Sequence, residues 1–154
     1  MVLVTTQMPF AKSNVMTMTW HLMMAFEAPL IGCVIASSNY SFEALHKTRQ
    51  CGLAVPPASM AKIVTNIGNC TGADTDKFSH FNLTPLPASG IDLPLIGEAI
   101  VNLECRVKDS RLVHDYKFFV LEWWQRGTIH SWKGHPLCTI TAIAVLLWVS
   151  SGLS

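Results

Sequence analysis

Residues 29–45 read "PLIGCVIASSNYSFEAL": an apolar run, then a cluster of hydrogen-bonding side chains, then a helical pattern. The segment "LIGCVI" is short and unbroken in its apolar character, as expected of a strand covered on both faces. Ser41 is a suitable N-cap for a helix through "FEALHKT", with Glu43 in the first turn, where the helix dipole favours negative charge. Between strand and helix stand Ser37, Ser38, Asn39, Tyr40 and Ser41. The backbone N–H groups of a helix start, joined by hydroxyls and amides, suit an anion; the same residues also suit a plain turn and cap. The cluster has no Gly-rich loop and no Lys at the helix start, so it is not a nucleotide P-loop.

Working outward, the chain reads as β-rich. "VLVTT" (residues 2–6) and "NVMTMTWHL" (residues 14–22) form a hairpin whose turn lies around Pro9 to Ser13. In the second strand Asn14, Met16, Met18 and Trp20 share one face, and Val15, Thr17, Thr19 and His21 the other. Ser59 is placed to cap a second helix with Met60, Ile63, Val64 and Ile67 at helical spacing and Gly68 at its end. A loop, "GNCTGADTDKF", follows. In "AIVNLECRVK", Val101, Leu103, Cys105 and Val107 alternate inward, with Asn102, Glu104, Arg106 and Lys108 outward; "DSR" turns the chain back into "YKFFVLEWW". Strands outnumber helices and are joined by hairpins. The expected fold is mainly β, a small antiparallel barrel with short helices, in a single domain spanning residues 1–154.

Composition narrows the partners. Charged residues are 14% of the 154, against about 25% in an average soluble chain, while 50% are hydrophobic. So little charge on one small domain points to surface hidden in a second subunit, and a two-fold homodimer is the simplest assembly. A net charge of +1 supplies no basic stripe for nucleic acid. "AIAVLLWV" is far short of the roughly 20 apolar residues of a membrane-spanning helix, and the N-terminus lacks the pattern of a signal peptide. Five cysteines without a C-x-x-C pair read as free thiols of a reducing cytoplasm. Six scattered histidines offer no metal-ligand spacing, so no metal is expected. No G-x-S-x-G elbow marks a serine nucleophile, and Cys70 has no evident cationic neighbour to activate it.

Taken together, "NVMTMTWH", "PLIGCVIASSNYSFEAL", "IGNCTG", "DTDKF" and "LTPLPA" resemble the flavin reductase-like, flavoredoxin-type family in order and spacing from about Val2 to Glu122. The resemblance implies a homodimeric FMN-binding split β-barrel that binds or reduces flavin with electrons usually drawn from NAD(P)H. Carried over by position, it implies that Asn14, Met16, Thr17 and Trp20 line the isoalloxazine and ribityl chain. Cys33 would lie beneath the flavin as a contact. The serines at 37, 38 and 41, with Asn39 and Tyr40, would form the cradle of the 5′-phosphate, with Lys77 as its cation. No catalytic acid, base or nucleophile is implied, because the hydride chemistry belongs to the flavin.

Two departures stand out. Ser38 occupies a position where the family often carries a basic residue. After "HPLCTI", from about residue 137, the ending "TAIAVLLWVSSGLS" does not resemble the family's histidine pair and aromatic strand, as a shifted reading frame would produce. Three readings follow: an FMN-dependent oxidoreductase using NAD(P)H, an FMN electron-transfer module without NAD(P)H turnover, or a relative that has lost flavin through its altered tail. The resemblance also places the dimer contact beside the flavin, near Trp123 and Trp124.

Overall fold

Period-two alternation makes the sheet, and the structure, a computed structural model, describes it over residues 1–25, 29–123 and 128–129. The elements in chain order are β1 (Val2–Thr6), β2 (Asn14–Met18), β3 (His21–Ala25), β4 (Leu30–Val34), α1 (Tyr40–Thr48) and β5 (Gln50–Val55). A 3-10 turn (Ala58–Met60) leads into α2 (Ala61–Gly68), followed by α3 (Lys77–His80), β6 (Pro85–Leu86) and β7 (Leu95–Ile96). The chain continues through β8 (Val101–Asp109), α4 (Val113–Tyr116), β9 (Phe118–Trp123) and β10 (Thr128–Ile129).

Seven strands lie in the order β2-β1-β5-β8-β9-β4-β3, every neighbouring pair antiparallel, and β10 adds to β8. One face of this sheet curls around a single cluster. Val4, Met16, Cys33, Leu53, Leu103 and Phe119 reach it from six strands, and Leu45 of α1 packs against them. The sheet is therefore a curled antiparallel half-barrel, mainly β with short helices as expected. Fully burying a side chain such as Phe119 or Leu121 contributes about 1.5–3 kcal/mol, so the inward stripe of β9 is a main source of stability. The outer face of β1 and β2 is covered by α2 and α3, through Leu3, Val15, Val64, Ile67 and Phe78.

Several boundaries differ from the sequence reading. The strand expected over residues 14–22 is broken at Thr19–Trp20, where the chain turns from β2 into β3. Helix α1 begins at Tyr40, one residue before the expected cap: Asn39 is the N-cap, and its side-chain oxygen accepts from the Ser41 N–H at 3.1 Å. Ser59 makes no cap; it lies inside the 3-10 turn before α2. The alternation of β8 holds, yet two of its outward residues are buried. Asn102 exchanges hydrogen bonds with the backbone of Ile96, and Glu104 accepts from Ser89 and Gly90. The segment carrying β6 and β7 lies over them. Trp123 is 7% exposed and packs in the core; Trp124 and the atypical ending from residue 137 lie outside the described residues.

Candidate functional site

The crossing of β2, the start of α1 and the loop after α2 leaves a cleft of about 290 Å³. Strand β2 contributes Asn14, Met16 and Thr17 to its wall. The turn before α1 contributes Ser38, Asn39 and Tyr40, and Lys77 closes it from the start of α3. Seven of the residues expected at one site are thus brought together.

The remaining four are placed elsewhere. Ser41 is fully buried behind the wall, where its hydroxyl oxygen accepts from Thr6 Oγ1 at 2.9 Å and from Asn14 Nδ2 at 2.8 Å. Ser37 is exposed and does not line the cleft. Trp20 is 71% exposed in the bend between β2 and β3, away from the cleft. Cys33 shares the inward face of β4 with Ile31 and is fully buried in the barrel core. Burial, and then the neighbouring Cys51, push its thiol well above the ordinary value, so it is inert as a nucleophile.

The residues from Ile67 to Gly72 complete the wall, and sequence reasoning gave them no place at the site. The signal was present in "GNCTG", whose two glycines allow close backbone approach. Gly72 shows this directly: a Cβ there would collide with Asn14 Oδ1 and stand 2.7 Å from the Tyr40 ring. Cys70 lies in the same loop, half-buried, its Sγ 3.7 Å from the Ile67 carbonyl.

Charge in the cleft comes from Lys77. Its Nζ donates to the Ile67 carbonyl at 2.9 Å, and burial lowers its pKa from 10.5, with Cys70 acting in the opposite sense. Asp76 holds the segment in place: it caps α3 through the Ser79 N–H at 3.3 Å and pairs with Lys12 of the β1–β2 turn at 3.1 Å. The pairing with Lys12, followed by the Ser79 N–H, keeps the Asp76 carboxyl below its usual range. One polar atom stands out. Asn14 Oδ1 is buried without a hydrogen-bond partner among the described residues. Gly72 packs directly against this oxygen.

A family model described as the flavin reductase like domain matches residues 1–141. The chain belongs to this family. An uncharacterised protein of Archaeoglobus fulgidus is 32% identical over 111 residues, 72% of this chain and 63% of that protein. The chain thus spans less than two thirds of that relative's length. Flavoredoxin of Desulfovibrio vulgaris superposes with a TM-score of 0.78 at 20% identity, over 84% of this chain and 69% of that one. An FMN-binding domain of a flavin reductases-like enzyme from Shewanella baltica superposes with a TM-score of 0.74 at 21% identity, over 79% and 64% of the two chains. These similarities establish the split-barrel architecture of the sheet. Among the described residues there is no cluster of metal-ligating side chains and no helix long and apolar enough to cross a membrane.

Proposed function

We propose that the protein binds FMN with the 5′-phosphate at the Lys77 end of the cleft and acts as a flavin-dependent oxidoreductase, passing electrons from NAD(P)H to flavin or a downstream acceptor. The observation that carries this reading is the buried Lys77 ammonium, joined at one cleft by Ser38, Asn39 and Tyr40 at the start of α1. A cation placed beside short donors is the arrangement an anionic ester needs. The volume, about 290 Å³, lies just below the roughly 300–1,000 Å³ of typical ligand sites and suits the phosphate and ribityl chain.

The chain's own groups divide the work. Asn39 spends its side-chain oxygen on the Ser41 N–H, which leaves its amide nitrogen as a donor. Met16 supplies apolar wall, and Thr17 is anchored by donating to the Val64 carbonyl at 2.6 Å, which fixes β2 against α2. When bound, FMN supplies hydride and electron transfer at its ring, while the protein holds and orients it. We assign no catalytic acid, base or nucleophile.

We further place the protein in the cytoplasm as a homodimer. The thiols of Cys33, Cys51 and Cys105, free and buried, suit a reducing compartment. Trp20, Leu22 and Met24 leave an exposed apolar strip at the edge of the sheet, which a second copy would cover. Anaerobic mixing of the FMN-loaded protein with NADH or NADPH tests the electron donor. Bleaching of the flavin's visible absorbance is expected. Bound FMN that stays oxidised with both nucleotides contradicts NAD(P)H use and leaves electron carriage between proteins.

A further inference from the structure

Cys70 and Lys77 share one acceptor. The Cys70 thiol lies 3.7 Å from the Ile67 carbonyl oxygen, and Lys77 Nζ donates to the same oxygen at 2.9 Å. A common partner at those distances puts sulfur and ammonium in electrostatic reach of each other; burial lowers the Lys77 pKa and Cys70 opposes that shift. Lys77 is thus the cationic neighbour that the sequence did not reveal. Both residues line the cleft. Lys77 is 3% exposed, and two of its three N–H groups have no partner among the described residues. Cys70 is half-buried, whereas Cys33, Cys51 and Cys105 are fully buried. Among the described thiols, Cys70 is therefore the one that a reagent in the cleft can meet.

Thiol–disulfide exchange needs a reachable sulfur, and a charge beside that sulfur selects the reagent. An ammonium attracts an anionic disulfide and repels a cationic one. Asp76, next in sequence to Lys77, is paired with Lys12 and so does not cancel that charge. In the step, the Cys70 thiol gives its proton to solvent and the thiolate attacks one sulfur of the disulfide. An S–S bond to Cys70 forms as the reagent's own S–S bond breaks, and the second half leaves as a thiolate with the bonding pair. Cys70 is oxidised, the leaving half is reduced, and no further oxidant enters. A free thiol reverses the exchange by the same route.

Resting on the phosphate reading of the cleft, we propose that Cys70 is a modification site: exchange with a small anionic disulfide caps it and shuts phosphate out of the cleft. The attached group occupies part of a cleft of only about 290 Å³. Its anionic end takes the Lys77 N–H groups that a phosphate ester would use. Neither effect needs the barrel to open, since Cys70 sits in the loop after α2 and outside the buried clusters. The capped protein stays folded without flavin, and reduction restores it. Bound FMN acts in the opposite direction, because its phosphate covers the same sulfur and slows capping.

The test treats the wild type, Cys70→Ser and Lys77→Met with dithiodiglycolate, which is anionic, and with cystamine, a cationic disulfide of similar size. Peptide mass mapping assigns the adduct, since Cys138 lies outside the described residues. In the wild type the adduct should form on Cys70, and FMN at roughly tenfold its Kd should slow its formation about tenfold. The capped wild type should bind FMN at least about tenfold more weakly, and dithiothreitol should restore the original affinity. The FMN affinity of Cys70→Ser should be the same before and after treatment. In Lys77→Met the rate advantage of dithiodiglycolate over cystamine should fall about tenfold. Thermal unfolding of each form reports folding separately. No adduct on Cys70, capping that FMN does not slow, FMN affinity unchanged by the cap, or an unchanged rate ratio in Lys77→Met overturns the proposal. Untreated wild type that binds FMN and riboflavin equally overturns the phosphate reading, and the proposal falls with it.

Discussion

Lys77 Nζ donates to the carbonyl of Ile67 at 2.9 Å, so the ammonium from the first turn of α3 is held against the last turn of α2. An ammonium has three donors, and that bond uses one. Lys77→Met should therefore keep much of the apolar stem and lose the charge. Removing a charged hydrogen-bond partner costs roughly 1.5–3 kcal/mol, so FMN should weaken about tenfold or more. Riboflavin affinity in the same titration should change far less.

Burial gives that cation a pH signature. The Lys77 pKa is lowered from 10.5 in the folded protein, and unfolding restores the ordinary value. Between the two values the unfolded chain binds more protons, so this group's contribution to stability rises with pH there. Phosphate binding runs the other way, because it needs the ammonium. The preference for FMN over riboflavin should fall as pH rises through the lowered pKa, beginning below 10.5. Lys77→Met should show no such fall, which a pair of titrations across alkaline pH will check.

Gly72 makes a separate prediction. A Cβ at this position meets Asn14 Oδ1 on one side and the Tyr40 ring on the other. Gly72→Ala should force the loop outward or displace Tyr40, at an overpacking cost of about 1–3 kcal/mol. Both flavins should bind more weakly, in contrast to the phosphate-selective loss in Lys77→Met. Isothermal titration with each flavin distinguishes the two patterns.

Glu104 tests the fold away from the cleft. Its carboxylate accepts from the Ser89 N–H and hydroxyl at 2.9 and 2.8 Å and from the Gly90 N–H at 2.6 Å. Burial alone would raise its pKa, but bonds from Ser89, Gly90 and Ile91 outweigh it and hold the pKa below 4.5. The contribution is complete above 4.5 and is lost as pH falls through the lower folded value. Glu104→Gln should cost about 1–3 kcal/mol at neutral pH and flatten this acid dependence. Urea unfolding at a series of pH values measures both effects.

The sequence made the strands legible where one side chain in two had to face the core. Val101, Leu103, Cys105 and Val107 do so, as their alternation required. Alternation said nothing of what covers the other face, so Asn102 and Glu104 looked exposed when a loop in fact lies over them. Gly68 closes α2 as expected, but the ends of α1 and α4 were harder to see because no glycine marks them. Arg49 and Lys117 take the left-handed cap positions of α1 and α4, with φ of 59° and 58°. Arg49 is held there by its guanidinium, which donates to the Val107 carbonyl and the Ser110 hydroxyl.

The cleft was legible as a cluster of residue types, and its inner wiring was not. Moving the cap of α1 from Ser41 to Asn39 puts Ser41 on the second helical position and turns its hydroxyl inward. Cys33 follows from strand phase: its face is that of Ile31, and that face is the core. The loop from Ile67 to Gly72 reaches the cleft through tertiary packing of α2 on β2, a relation that local patterning does not encode.

The central claim is that the cleft recognises a flavin through its phosphate. The most direct measurement is a parallel titration of the wild-type protein with FMN and riboflavin, read by quenching of intrinsic tryptophan fluorescence. FMN should bind at least about tenfold more tightly, the difference expected for one charged hydrogen-bonded partner. Equal affinity for the two flavins would contradict the account.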